Sequence, residues 1–85
     1  MYFHAGQGNV INAESVIGIF DLDETSQSYI TREFLKKTEQ SGNIINSAED
    51  IPKTFIVCCE NNKNSVYLCQ PAPNILVKRA DSGTL

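Results

Sequence analysis

The stretch TFIVCCENNKNSVYLCQ, Thr54 to Gln70, restricts the fold more than any other part of the chain. Two runs of β-branched, aromatic and other strand-compatible residues, Thr54 to Glu60 and Ser65 to Gln70, flank the polar turn Asn61 to Asn64, where asparagine tolerates left-handed backbone. A β-hairpin is expected there, and with it an antiparallel sheet that other short strands can join. MYFHAGQGNVIN supplies a second hairpin, Tyr2 to His4 with Asn9 to Asn12, turned by a loop containing Gly6 and Gly8. That Gly-x-Gly has no third glycine and no strand-to-helix setting, so it does not read as a dinucleotide loop.

After a brief turn at Ala13 to Ser15, VIGIFDL places β-formers on both faces of a strand, as in a strand covered on both sides or one that meets a partner. Gly18 within it marks a bulge or a close approach of another group. DETSQSYITREFLKKTEQSG then reads as the main helix. Thr25 or Ser26 can cap it, Asp23 and Glu24 suit its positive end, and Gly42 closes it. Ile30, Phe34 and Leu35 form the expected core stripe, with Arg32 and Lys36 about 200° away on the outer side and Glu33–Lys37 a favourable pair one turn apart.

Asp21-x-Asp23-Glu24-Thr25 also resembles the D-x-D-x-T loop of haloacid-dehalogenase-type phosphatases. Those residue types are what a helix start needs, and a phosphatase requires further strands bearing a Lys, a Thr or Ser and more acids in a chain about twice as long. No catalytic residues are therefore assigned, and the chain is not read as an enzyme.

NIINSAEDIPK holds a short strand at Asn43 to Asn46 and then a polar loop in which Pro52 rules itself out of a central strand. Pro71 and Pro73 stop the second hairpin and open a short helix, PNILVKRA, with Ile75, Leu76 and Arg79 at helical spacing. The expected architecture is α+β: one small domain over residues 1–80, with short antiparallel strands and hairpins, one main helix, a short C-terminal helix, and a flexible tail at 81–85. A chain of 85 residues buries only about 60 to 65% of its unfolded surface, so pairing with copies of itself is a natural source of further burial.

Seven Lys and Arg against ten Asp and Glu leave a net charge of −3, opposite to the global basicity of a simple nucleic-acid binder. No apolar run reaches the roughly 18 residues of a membrane span and no signal-peptide pattern opens the chain, so a soluble, cytoplasmic protein without a membrane partner is expected. Cys58 and Cys59 are adjacent and point to opposite faces of a strand. Together with Cys69 and His4 they lack metal-ligand spacing, so the three thiols are read as reduced, and neither metal nor cofactor is expected.

MYFHAG at the start, SVIGIFDLDETSQS after it, REFLKK in the helix and PKTFIVC in the hairpin resemble the RemA/RemB family of bacterial extracellular-matrix regulators, the RemB members most of all. The likeness runs from Met1 to about Ala80. It implies a LytTR-like α+β domain that assembles into rings and activates biofilm-matrix genes by binding double-stranded DNA, without catalysis. One departure bears on this: where RemA relatives carry an Arg-rich stretch for DNA, this chain has Ile51-Pro52-Lys53-Thr54, with a single cation. The residues expected to replace that stretch are Arg32, Lys36 and Lys37 on the main helix, Lys53 before the hairpin, and Lys78 with Arg79 near the end. Lys78 and Arg79 equally suit the negative end of their own helix. The alternative is a protein-interaction or oligomerisation module that partners a RemA-type regulator and leaves DNA to it.

Overall fold

The computed structural model describes residues 1–25 and 29–82. In chain order the elements are β1 (Tyr2–Gly6), β2 (Asn9–Asn12), a single 3₁₀ turn (Ala13–Ser15), β3 (Val16–Asp21), α1 (Leu22–Thr25), α2 (Tyr29–Gln40), β4 (Ile44–Asn46), β5 (Thr54–Glu60), β6 (Lys63–Cys69) and α3 (Pro73–Ser82). β1 and β2 form a two-stranded hairpin, and the rest form a four-stranded sheet in the order β3-β5-β6-β4. This is the expected α+β domain.

The β5–β6 hairpin closes more tightly than its composition indicated. Glu60 pairs with Lys63, so the turn is only Asn61–Asn62, with φ of 53° and 64°. Positive φ at both central residues is the turn that matches the right-handed twist of hairpin strands. Lys63 and Asn64 thereby join β6 instead of the loop. β4 pairs with β6 in parallel, Ile44 opposite Val66, and the long connection that parallel neighbours need is supplied by the loop after β4 together with β5, while α2 carries the chain from β3 at one edge of the sheet to β4 at the other.

Alternation along β5 sends its side chains to two different environments. Thr54, Ile56 and Cys58 face the β1–β2 hairpin and α3, where Phe3, Ala5, Ile11, Ile56, Cys58, Cys69 and Leu76 make the buried cluster. Each of these is at most 4% exposed, and full burial of such aliphatic or aromatic side chains stabilises by about 1.5 to 3 kcal/mol apiece. Thr54 is fully buried yet satisfied, since its hydroxyl donates to the Pro71 carbonyl oxygen at 2.7 Å. Arg79 donates from Nη1 to the His4 carbonyl oxygen at 3.2 Å and so ties α3 to β1. Gly6 allows β1 to pass the Ser47 carbonyl oxygen, which a Cβ there would approach to 2.5 Å at φ +120°.

Phe55 and Val57 point to the opposite face, and there the expectation for the main helix is corrected in two ways. Helical structure starts at Leu22, directly after β3, so Asp23, Glu24 and Thr25 lie within the helical turn α1 and not ahead of it. Ser26, the other expected cap, lies outside the described residues. The second correction concerns the core stripe: no residue of α2 is buried, and Ile30 is 79% exposed. Thr31, Leu35 and Thr38, which share one side, are half-buried instead, as is Glu33 on another side. The helix is rolled so that this threonine-flanked stripe faces inward, with the Thr38 hydroxyl satisfied by the Phe34 carbonyl oxygen at 2.8 Å. Two threonines count as polar in a pattern but carry methyl groups, which is why the periodicity misassigned the inward side.

α2 ends as expected around Gly42, whose amide donates to the Glu39 carbonyl while that of Asn43 donates to Thr38. α3 runs two residues past PNILVKRA, to Ser82. Leu76 is its buried anchor, whereas Ile75 is exposed, contrary to the expected stripe. Residues 83–85 of the expected tail lie outside the described residues.

Candidate functional site

The six cations expected to meet DNA fall on three elements. Arg32, Lys36 and Lys37 are exposed on α2, Lys53 is exposed on the loop before β5, and Lys78 is exposed on α3 beside the half-buried Arg79. Since α2 lies on the Phe55–Val57 face and α3 on the Ile56–Cys58 face, the α2 group and the α3 pair sit on opposite sides of the sheet. The fold does not gather all six into one surface. Arg32 and Lys36, one turn apart, form the nearest thing to a cationic strip. Lys53 is held where strands end: its amide donates to the Cys69 carbonyl and its carbonyl accepts from the Leu22 amide, both at 2.9 Å. Arg79 already serves α3–β1 packing.

A second feature was not anticipated by sequence. Ile17, Phe20, Ile30, Phe34, Phe55 and Val57, with Thr31, line an apolar groove of about 370 Å³ between β3, β5 and α2. Phe20 stacks on Phe55 with ring centroids 5.1 Å apart and planes at 24°. Its ring lies over Gly18, where a Cβ would come within 2.5 Å of Cζ, and the strand register shifts between Val16 and Gly18. Both readings of Gly18, a bulge and a close approach, therefore hold. The β-formers of VIGIFDL left open whether the strand is covered on both sides or meets a partner, and the groove shows the Ile17 and Phe20 face only partly covered.

On the other face a smaller, more polar cavity of about 170 Å³ opens between the two hairpins, lined among others by Asn12, Ser15, Cys58, Glu60 and Tyr67. Burial pushes the Cys58 thiol up, with a Ser15 hydrogen bond acting partly against it. Burial likewise raises the Cys69 thiol to about 12 and the Tyr67 phenol above its ordinary value. All three cysteines are free thiols, and only Cys59 is exposed. Raised thiols are poor nucleophiles at neutral pH, so this cavity has no activated sulfur.

Asp21 is half-buried at the end of β3 and Asp23 is exposed on α1. β3 is the end strand of a mixed sheet, not part of the doubly wound parallel sheet on which a D-x-D-x-T phosphatase loop works. Among the described residues no group of three or more His, Cys, Asp and Glu is placed to hold a metal ion, and no helix is long and apolar enough to cross a membrane.

The family model for RemA-like proteins, described as extracellular matrix regulatory protein A-like, matches residues 2–80. The chain is 34% identical over 80 residues to extracellular matrix regulatory protein B of Bacillus subtilis (strain 168), covering 94% of this chain and 90% of that protein. A match over nearly the whole domain, on a fold in which both hairpins and both longer helices take part, means that this chain belongs to the RemA-like family of extracellular matrix regulatory proteins.

Proposed function

We propose that the chain regulates the transcription of extracellular-matrix genes as a ring-like oligomer that meets duplex DNA with the outer side of α2. The observation that carries this reading is the exposure of Arg32 and Lys36 one turn apart, with Lys37 beside them, on a helix whose other side turns toward the sheet. Few phosphate contacts per subunit are weak alone, and assembly makes them additive along one duplex. Lys53 and Lys78 are auxiliary contacts in this reading, and Arg79 contributes mainly by holding α3.

Fluorescence anisotropy on a labelled A+T-rich duplex, repeated from about 50 to 200 mM salt, tests it, because affinity falls with a log–log slope of about −0.9 per phosphate neutralised. Arg32→Ala with Lys36→Ala is expected to flatten that slope by about two for every subunit in contact. An unchanged slope would move the DNA surface elsewhere.

A second reading has its own support: the −3 charge, and the single cation in Ile51-Pro52-Lys53-Thr54. In it the chain is an interaction module that works through a RemA-type protein and makes no DNA contact. Absence of binding at the lowest salt selects this reading.

A further inference from the structure

The cavity between the two hairpins is built by strand pairing. Cys58 and Glu60 share one face of β5, and on the same face of β6 stand Ser65, opposite Cys58, and Tyr67, opposite Ile56. The β1–β2 hairpin closes the other wall with Tyr2 and Asn12, which are themselves paired across it. Ile11 and Cys58, the most buried of the lining residues, form the floor. The volume of about 170 Å³ is slightly larger than an engineered core cavity of about 150 Å³ that holds one benzene ring. It therefore admits one small molecule.

We propose that this cavity binds a small organic cation, a primary alkylammonium ion of about six non-hydrogen atoms, with the ammonium group at Glu60 and the alkyl body over Ile11 and Cys58. The site lies on the opposite face of the sheet from α2, apart from the surface proposed to meet DNA.

Charge selects the class of ligand. Glu60 is the one charged side chain in the lining, and Lys63, its partner across the hairpin, stands outside the cavity. Burial is the main cause that raises the Cys58 thiol and the Tyr67 phenol, and the Glu60 carboxylate adds to both. Both groups therefore keep their protons at neutral pH and lie in a negative field, which narrow low-dielectric walls concentrate. An anion entering here would meet Glu60 with no lining cation to offset it.

Hydrogen bonding selects the primary amine. An ammonium head carries three donors, and the Glu60 carboxylate, the Ser65 hydroxyl and the Tyr67 phenol oxygen are acceptors on one wall. The facing end is already fixed. The Ser15 hydroxyl donates to the Asn12 carbonyl oxygen at 2.7 Å, and Asn12 Oδ1 accepts from the Glu14 amide at 3.0 Å. Such preorganisation lowers the cost of binding. A metal ion fits poorly, since the lining offers one carboxylate and a protonated thiol, and no metal-holding group of His, Cys, Asp and Glu occurs among the described residues.

Isothermal titration calorimetry on the full chain tests the site with n-butylammonium, n-butanol and tetramethylammonium, probes of equal heavy-atom count. Two of the three tyrosines line the cavity and there is no tryptophan, so tyrosine fluorescence supplies a second readout. Butylammonium is expected to bind about tenfold more tightly than butanol, which lacks the charge, and than tetramethylammonium, which lacks the N–H donors. Glu60→Gln, at an exposed position beside the hairpin turn, should abolish that preference. Ser65→Leu should fill the cavity and remove binding of all probes, with far-UV circular dichroism verifying the fold. Glu39→Gln, an exposed carboxylate on α2, should change nothing. Equal affinity for butylammonium and butanol overturns the site, as does butylammonium binding that survives Glu60→Gln or the lack of a saturable signal in both readouts. None of these outcomes alters the DNA reading, which is tested through Arg32 and Lys36.

Discussion

On one face of the four-stranded sheet Ile56, Cys58 and Cys69 lie under the β1–β2 hairpin and α3. On the other, Phe55 and Val57 lie under one helix that buries none of its own residues. Neighbouring residues of the same strand thus end in a sealed core and in a half-covered groove. The difference comes from what each face receives. The first is closed by two elements from distant parts of the chain, locked by Arg79 to the His4 carbonyl and by Asn9 Nδ2 to Ser47 Oγ at 2.8 Å. The second receives a twelve-residue helix whose inward stripe is Thr31, Leu35 and Thr38. Stability is concentrated on the first face, and surface free for recognition on the second.

The sharpest contrast is a pair of truncations. Ile56→Ala, at a fully buried position, should cost about 2 to 5 kcal/mol in urea unfolding. A cost below about 1 kcal/mol would mean that the sealed face repacks freely.

Alkali attacks the same face. The Cys69 thiol is raised from 9.0 to about 12 in the fold, so the unfolded chain loses its proton first. The stabilisation is complete below pH 9 and is lost as pH rises from 9 toward 12, at up to about 1.4 kcal/mol per pH unit. Cys58 is shifted in the same direction by burial. Unfolding curves on either side of pH 9 should show the decline, and Cys69→Ala should reduce it. A flat profile would place water against these thiols.

Effects shrink on crossing the sheet. Phe20→Ala, which removes the stack on Phe55, should cost about 1 to 2 kcal/mol by thermal unfolding. Ile17→Ala, at a 66% exposed position, should change the stability of dilute protein by no more than about 0.5 kcal/mol. A larger loss would mean that the groove wall is packed more tightly than its exposure indicates.

Both hairpins were legible because strand alternation and turn residues are local signals, and Asn61–Asn62 only tightened the second. The pairing of β4 with β6 was not legible: three residues carry too little pattern to choose a partner. α2 was legible as a helix, but its rotation about its own axis was not. That rotation depends on which sheet face receives it and on how threonine methyls pack. The cations suffered the same way. Their number is plain in the chain, whereas their division between two faces appears only once α2 and α3 have docked on opposite sides. Gly18 was legible as a bulge and a close approach, whereas the exposure of Ile17 and Phe20 was not, since nothing local records that the covering helix stops short of them.

The grip of Arg79 on the His4 carbonyl joins residues 75 positions apart, and it has a consequence during synthesis. While the chain is being made, Phe3 and Ile11 have a hairpin but no lid, and β5 and β6 must emerge before a sheet can receive them. Leu76 arrives last and seals the cluster. The nascent chain therefore carries an open apolar surface until α3 is released. A nascent chain whose β5 and β6 have emerged while α3 is still inside the ribosome holds a sheet that is paired but unlidded, a ready target for a chaperone.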